Sequence, residues 1–256
     1  TFTSTEGTQV PDFVGNLRWD QTWGYVGVSG AVHKVAATYY TGTPSEAFGH
    51  PGDKYGWAAQ VGGLVHLPGD NTIGASFVGT VGAPGYATKA GSWQIYQGNS
   101  VGVGWLSDGL YDTGTDIHLT TAWSVNAGFE HIWNMHWQTS VYGGYTQISY
   151  DSGATAIINS HLPGAGGSTQ CGATVGGAVW PSITMTGGGA GNSCSPNYSF
   201  WQVGTRTQWN LDANTYVGLD LNWTRLNTAY KGVGTYGSNG AKPAVTVVDD
   251  QDVWSG

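Results

Sequence analysis

Residues that could do chemistry are thinly spread along this chain. Seven histidines, His33, His50, His66, His118, His131, His136 and His161, show no metal-ligand spacing. His131 and His136 fall on opposite faces of a strand or across a turn, which argues against zinc. The run Asp249-Asp250-Gln251-Asp252 could hold calcium but lacks the pattern of a calcium loop, and a solvated loop explains it more simply. Gly187-Gly188-Gly189-Ala190-Gly191 carries no phosphate-loop lysine. No H-E-x-x-H helix occurs, and no catalytic set, metal or cofactor is expected. Asn197-Tyr198-Ser199 and Asn222-Trp223-Thr224 match the glycosylation acceptor, a pattern frequent by chance. Cys171 and Cys194 both lie in a Gly/Ser-rich stretch. Paired, they would close a 24-residue loop, worth roughly 3 kcal/mol by chain entropy. Oxidising conditions outside the cell favour the pair, and two free thiols are the alternative.

What does recur is a polar or charged side chain at every second position, and that points to the elements beneath. From Tyr55 to Leu67, Trp57, Ala59, Val61, Gly63, Val65 and Leu67 share one face, while Gly56, Ala58, Gln60, Gly62 and His66 share the other. This is a strand with one oily and one wet face. Similar segments run near 12–20, 25–39, 72–83, 117–132, 136–150, 200–210 and 215–227, and another begins near Asp252. Oily positions include Leu17, Trp19, Ile73, Phe77, Trp123, Val125, Phe129, Val217, Leu219 and Leu221. Their alternates include Asn16, Arg18, Asp20, Ser76, Asn126, Glu130, Asp220 and Asn222. Gly62, Gly74, Gly128, Gly204 and Gly218 also fall on the wet face, either to keep it low or to ease strand curvature.

The connections alternate too. Gln21-Thr22-Trp23-Gly24, Pro68-Gly69-Asp70-Asn71, Trp133-Asn134-Met135 and Leu211-Asp212-Ala213-Asn214 read as tight turns. The others, 40–54, 84–116, 151–199 and 228–251, are long. In an up-and-down barrel all short turns lie on one side and all long loops on the other, whereas Greek-key sandwiches mix their lengths. The chain is therefore expected to be all-β, an antiparallel transmembrane barrel forming one domain over 1–256.

Composition agrees. Charged residues make up 9% of 256 and aromatics 13%, against about 25% charged in an ordinary soluble domain. No stretch approaches the roughly 20 apolar residues of a membrane helix, but a barrel interleaves its membrane signal. The formal net charge of −8 argues against nucleic acid. Aromatics gather near segment ends: Trp23, Tyr25, Tyr39, Tyr40, Tyr55, Trp57, Trp133, Trp137, Trp201 and Trp209. They read as girdles at the membrane interfaces, with core packing as the alternative. The chain starts Thr1-Phe2-Thr3-Ser4, without Met or an apolar leader, so any signal peptide is expected to have been removed or the chain to start internally.

Particular motifs narrow the reading. Pro11-Asp12-Phe13-Val14-Gly15-Asn16-Leu17-Arg18 through Trp23-Gly24, then Ser140-Val141-Tyr142-Gly143-Gly144-Tyr145, then Arg206-Thr207-Gln208-Trp209-Asn210, follow in order. Gly218-Leu219-Asp220 through Thr224-Arg225-Leu226-Asn227-Thr228-Ala229 and Asp250-Gln251-Asp252-Val253-Trp254-Ser255 complete the set. Together they resemble the porin family of alphaproteobacteria such as Bradyrhizobium and Brucella, and the two loop cysteines match as well. The resemblance implies a bacterial outer-membrane general porin of about sixteen strands. It further implies a homotrimer in lipid that passes small hydrophilic solutes and ions by passive diffusion, with an inward-folded loop narrowing the pore. Only about nine strands are visible, so the chain is expected to be the C-terminal half, with the constriction loop in the other half.

By alternation, the pore-lining candidates on this wall are Arg18, Asp20, Gln60, His66, Glu130, Gln138, Arg206, Gln208, Asp220 and Asn222. Guanidinium groups facing carboxylates across water would set a transverse field that orders dipolar solutes. Singly, each charge could equally serve only to keep the wall wet. Rival readings are a barrel with another job, such as an outer-membrane enzyme or an adhesin anchor, which a catalytic Ser/His/Asp set converging at one rim would favour, and a soluble secreted carbohydrate-binding β-protein, which would need no detergent.

Overall fold

A computed structural model describes residues 9–40, 46–89, 93–160, 183–185, 193–212, 214–236 and 243–256. Along the chain, β1 (Phe13–Gln21) turns through Thr22-Trp23 into β2 (Gly24–Val35), and β3 (Lys54–Leu67) through Pro68-Gly69-Asp70 into β4 (Asn71–Val81). The next connection carries β5 (Trp93–Gln97), β6 (Ser100–Gly104), β7 (Gly109–Leu110) and β8 (His118–Leu119). Then β9 (Thr121–Asn134) and β10 (Trp137–Ser149) form a third hairpin, followed by α1 (Ser152–Ser160) and β11 (Ile183–Met185). The fourth hairpin is β12 (Tyr198–Asn210) and β13 (Tyr216–Asn227), after which come β14 (Gly232–Tyr236), β15 (Val245–Val248) and β16 (Gln251–Ser255).

Nine strands form one antiparallel sheet in the order β1-β2-β3-β4-β9-β10-β12-β13-β16, open between its two edge strands. Each long strand pairs with its neighbours over most of its length, and the short turns fix the register. At Gly69 (φ 78°) and Asp70 (φ 57°) the chain enters the left-handed region, which Gly adopts freely and Asp tolerates. There the Asn71 side-chain amide donates to the Pro68 carbonyl at 2.7 Å.

The register sorts the side chains by face. Leu17, Val28, Val61, Phe77 and Val125 stand opposite one another on five neighbouring strands. This face is apolar and bare, with Leu17 75%, Leu219 64% and Trp254 75% exposed. Soluble domains rarely leave so continuous an apolar surface uncovered.

The opposite face is hollow. At its long-connection end it is covered by a second, five-stranded sheet in the order β11-β14-β15-β6-β5, in which β15 and β6 run parallel. Val101 and Val103 of β6, Val245 and Val248 of β15, and Ala154 and Ile158 of α1 pack with Ile148, Tyr198, Phe200 and Leu226 of the wall. Polar contacts fasten the two layers: Thr228 Oγ1 accepts from the Val103 amide at 2.8 Å, and Gln251 Nε2 donates to Ser100 Oγ at 2.9 Å. Asp151 caps α1 by accepting from the Ala154 amide at 2.7 Å.

The strands thus fall where the period-two reading puts them, with two differences. The second strand stops at Val35 rather than 39, leaving Tyr39 and Tyr40 beyond it. Most of the long connections, expected only as loops, contain the strands of the outer layer. Among the described residues no helix is long and apolar enough to cross a membrane.

Candidate functional site

All ten polar candidates lie on the hollow face. Nearest the short turns, one register row holds His66, Thr72, Glu130, Ser140, Arg206 and Asp220 on six successive strands. Gln138 and Gln208 are paired one step beyond. Toward mid-strand, Asn222 pairs with Gly204, and Gly204 with Tyr142. Arg18 shares a row with Gly27, Gly62, Ser76 and Asn126, Asp20 pairs with Tyr25, and Gln60 pairs with Ser29 and Ser29 with Asn16.

Between these rows lies an open hollow of about 710 Å³, lined by Asn16, Arg18, Tyr25, Ser29, Gln60, Ser76, Asn126, Tyr142, Gln202 and Asn222 together with glycines. The Arg18 guanidinium lies 2.7 Å from the Asp20 carboxylate and stacks 3.8 Å over the Tyr25 ring. Its partner is therefore its own strand neighbour rather than a carboxylate across water. Tyr142 lies flat on the wall and donates to Asp220 at 2.5 Å. A Cβ at Gly204 would come 2.5 Å from that ring, so only glycine lets the phenol lie there. Of the two readings of wet-face glycine, low bulk is the one this position meets.

Sequence reasoning passed over Tyr142, Tyr25 and Gln202 as wall residues. Period two counted from Ser140 would have found Tyr142, and from Gly204, Gln202. Tyr25 departs from the girdle set: Gln21 and Gly24 pair across the turn, which puts Tyr25 on the face of Asp20. Tyr39 and Tyr40 also leave that set. Tyr40 packs against Tyr111 beside Val35 and donates to the Thr115 carbonyl, while Tyr39 meets the His50 ring edge-on.

The remaining aromatics stand on or beside the bare face. Phe77, Trp123, Tyr145 and Trp201 form a row of ring contacts with centroids 4.5 to 6.2 Å apart across four strands. Near the short turns Trp137 stacks on Trp209 at 5.8 Å and Trp133 meets His131 at 4.2 Å, with Trp23 edge-on to Trp19 at 6.2 Å. Tyr55 and Trp57 are exposed at the opposite end of β3. From Trp123 to Trp133 the strand rises about 33 Å, at about 3.3 Å per residue. A tilt of about 40° reduces this to about 25 Å, the height of an outer-membrane apolar band.

The family comparison fits this two-faced wall: the model described as porin subfamily matches residues 1–256. The chain belongs to the porin subfamily. No curated protein and no solved structure matches it. For a porin the bare face is the membrane side and the hollow face the water side. The subfamily also places the chain in the class of channels and of outer-membrane proteins.

At the long-connection end of the hollow face a group of ionisable residues joins the wall to the connection between β4 and β9. Asp12 accepts from Tyr86 Oη at 2.6 Å and lies 2.7 Å from His33 Nδ1, while Asp108 lies 3.6 Å from His33 Nε2. They surround a cavity of about 210 Å³. Burial pushes the Asp12 carboxyl up, but the donors Tyr86 and His33 outweigh it and hold it below the ordinary aspartate value. Tyr86 is pushed up to about 12 by donating to Asp12. Burial also dominates at Asp108 and raises it. Among the described residues no cluster could hold a metal ion. Cys171 lies outside the described residues, and no cysteine among the described ones is free.

Proposed function

We propose that the chain is one wall of an outer-membrane general porin of the alphaproteobacterial kind, through which small hydrophilic solutes and ions diffuse passively. The observation that supports this reading is the division of the sheet: ten separated polar positions converge on a hollow face while the opposite face is bare and apolar. Neither feature alone would distinguish a pore from a docking sheet, but together they suit water on one side and lipid on the other.

On this reading Arg18, Asp20, Gln60, His66, Glu130, Gln138, Arg206, Gln208, Asp220 and Asn222 line the pore. Trp23, Tyr55, Trp57, Trp133, Trp137, Trp201 and Trp209 sit at the membrane interfaces. The nine strands belong to a barrel of about sixteen that assembles as a homotrimer, and residues 1–256 form part of one barrel domain. Cys171 pairs with Cys194 and staples the longest loop. The protein is a channel and not an enzyme.

The test is reconstitution of the purified protein from detergent into a planar bilayer. Discrete, long-lived conductance steps in KCl are expected, together with solute entry into liposomes at rates that fall with solute size. Protein that stays monodisperse without detergent and inserts no channels would overturn the reading in favour of a soluble β-protein.

A further inference from the structure

The hollow face is not uniformly charged along its length. Glu130, Arg206 and Asp220 share the row nearest the short turns. The hollow at mid-strand is different: Arg18 is the one charged side chain lining it, and Asp20 compensates that charge at 2.7 Å. The rest of the lining is amide, hydroxyl, phenol and glycine, with Leu64 as the one large apolar side chain on that face and Leu17, Val28, Ala75 and Ala127 at its floor.

We propose that this hollow is a subsite for neutral polyhydroxylated solutes, sugars above all. The proposal rests on the reading of this face as a pore wall and names the solute class that wall favours. Three features carry it. Ser76, Asn126 and Gln202 stand in one register row, with Gly144 between the two amides. Neighbouring strands lie about 4.8 Å apart, so donors and acceptors recur across the row at a spacing that suits a sugar ring. The Asn126 side chain lies so close over Gly144 that a Cβ there would collide with its Oδ1, which keeps the amide low on the wall.

Tyr142 supplies the second feature. Because it lies flat across Gly204, its ring presents a face rather than an edge to the hollow, and the apolar face of a pyranose can stack on such a surface. Third, the Asn222 side chain borders the same hollow; its Oδ1 has no partner in the protein but is closed off from solvent, so the residue adds a polar group to the lining and not an open acceptor. An ion gains little here, because the Arg18 and Asp20 fields cancel within one pair. A hydroxylated solute gains several weak partners and can leave easily, which conduction requires.

The experiment uses the full-length protein in liposomes, with osmotic swelling in sucrose, in glucose and in glycerol, and KCl conductance recorded in parallel. In Asn126→Leu/Gln202→Leu, the sucrose-to-glycerol rate ratio is expected to fall about threefold or more, because sugar hydroxyls lose partners they must otherwise find in water. Tyr142→Leu should lower the same ratio while Tyr142→Phe, which keeps the ring, should not. This second comparison decides the matter if the double variant does not fold. Equal losses for sucrose and glycerol in the double variant, or equal ratios in Tyr142→Leu and Tyr142→Phe, would overturn the subsite. Absence of KCl conductance in the unaltered protein would be a different failure, that of the pore reading, and would take the subsite with it.

Discussion

At the scale of single residues, the two arginines of the wall behave differently. Arg18 is neutralised by Asp20 at 2.7 Å and laid over Tyr25. Arg206 stands opposite Asp220 in register, with its guanidinium 5.3 Å from the Tyr216 ring centre, while Asp220 accepts the Tyr142 hydroxyl. That hydroxyl spreads the carboxylate charge and holds it against the wall. Tyr142→Phe removes the donor and leaves the ring, so the Asp220 charge acts on the water more fully. The cation-to-anion permeability ratio, read from reversal potentials in a KCl gradient, is expected to rise about twofold. A ratio that stays put would mean Asp220 does not face the conducting water. The same residues show where sequence reading stops. Alternation alone puts Arg18, Asp20, Arg206 and Asp220 on one face, but it says nothing of which side chain leans on which. That depends on a glycine at 204, whose service to Tyr142 is visible only once β10 and β12 are in register.

At the scale of elements, the wall strands were legible because each is long and two-sided, and because its turns are short enough to fix register. Gln21 against Gly24 and Leu67 against Asn71 leave no freedom to slip, since a one-residue shift would turn every oily side chain toward the water. The outer layer was not legible. Its strands β6 and β15 have five and four residues, and they pair in parallel although Ser100 and Val247 are far apart in sequence. No local period marks such a strand. What stabilises it is burial of Val101, Val103, Val245 and Val248 against Phe200 and Leu226, at about 1.5–3 kcal/mol for each large side chain. The two faces of the wall make a paired prediction. Ala127 is exposed on the bare side near the middle of β9, and Gln60 is exposed on the hollow side of β3. Ala127→Arg is expected to cost about 2–4 kcal/mol in lipid, as for a cation at the bilayer midplane. Gln60→Arg should stay within about 1 kcal/mol, because its side chain remains in water. Urea unfolding in lipid vesicles measures both, and equal costs would show that the faces are misassigned.

For the whole molecule, the question is how the outer layer is held on the wall and what releases it. The ion pairs within and around it, in the long connections, involve carboxylates outside the spanning strands. Lys231, at 2.6 Å from Asp249 and 3.1 Å from Asp250, holds Asp249 below the ordinary aspartate value and is itself raised in return. Asp151 is pushed up by burial but pulled down further by the Ala154 amide and by His118, so it too is depressed, as is Asp12. A depressed carboxylate contributes stability above its unfolded value and loses it as pH falls through the folded value. The contribution of Lys231 has the opposite sense, complete below the ordinary lysine value and lost only as pH rises through the raised one. Asp108, raised by burial, opposes the three aspartates, since its protonation relieves a cost. Three depressed carboxylates against one raised give the direction: the long connections and the layer they carry loosen in acid, below the ordinary aspartate value, while the wall, whose ladders do not titrate, persists. Near-ultraviolet circular dichroism in detergent should therefore decline in that window, with the far-ultraviolet signal retained. Asp249→Asn should weaken the neutral-pH signal slightly and flatten the decline, since exposed ion pairs are each worth only about 0.2–1 kcal/mol. A near-ultraviolet signal constant from neutral pH to pH 2, or one that falls together with the far-ultraviolet, would show that the outer layer is held by apolar packing alone.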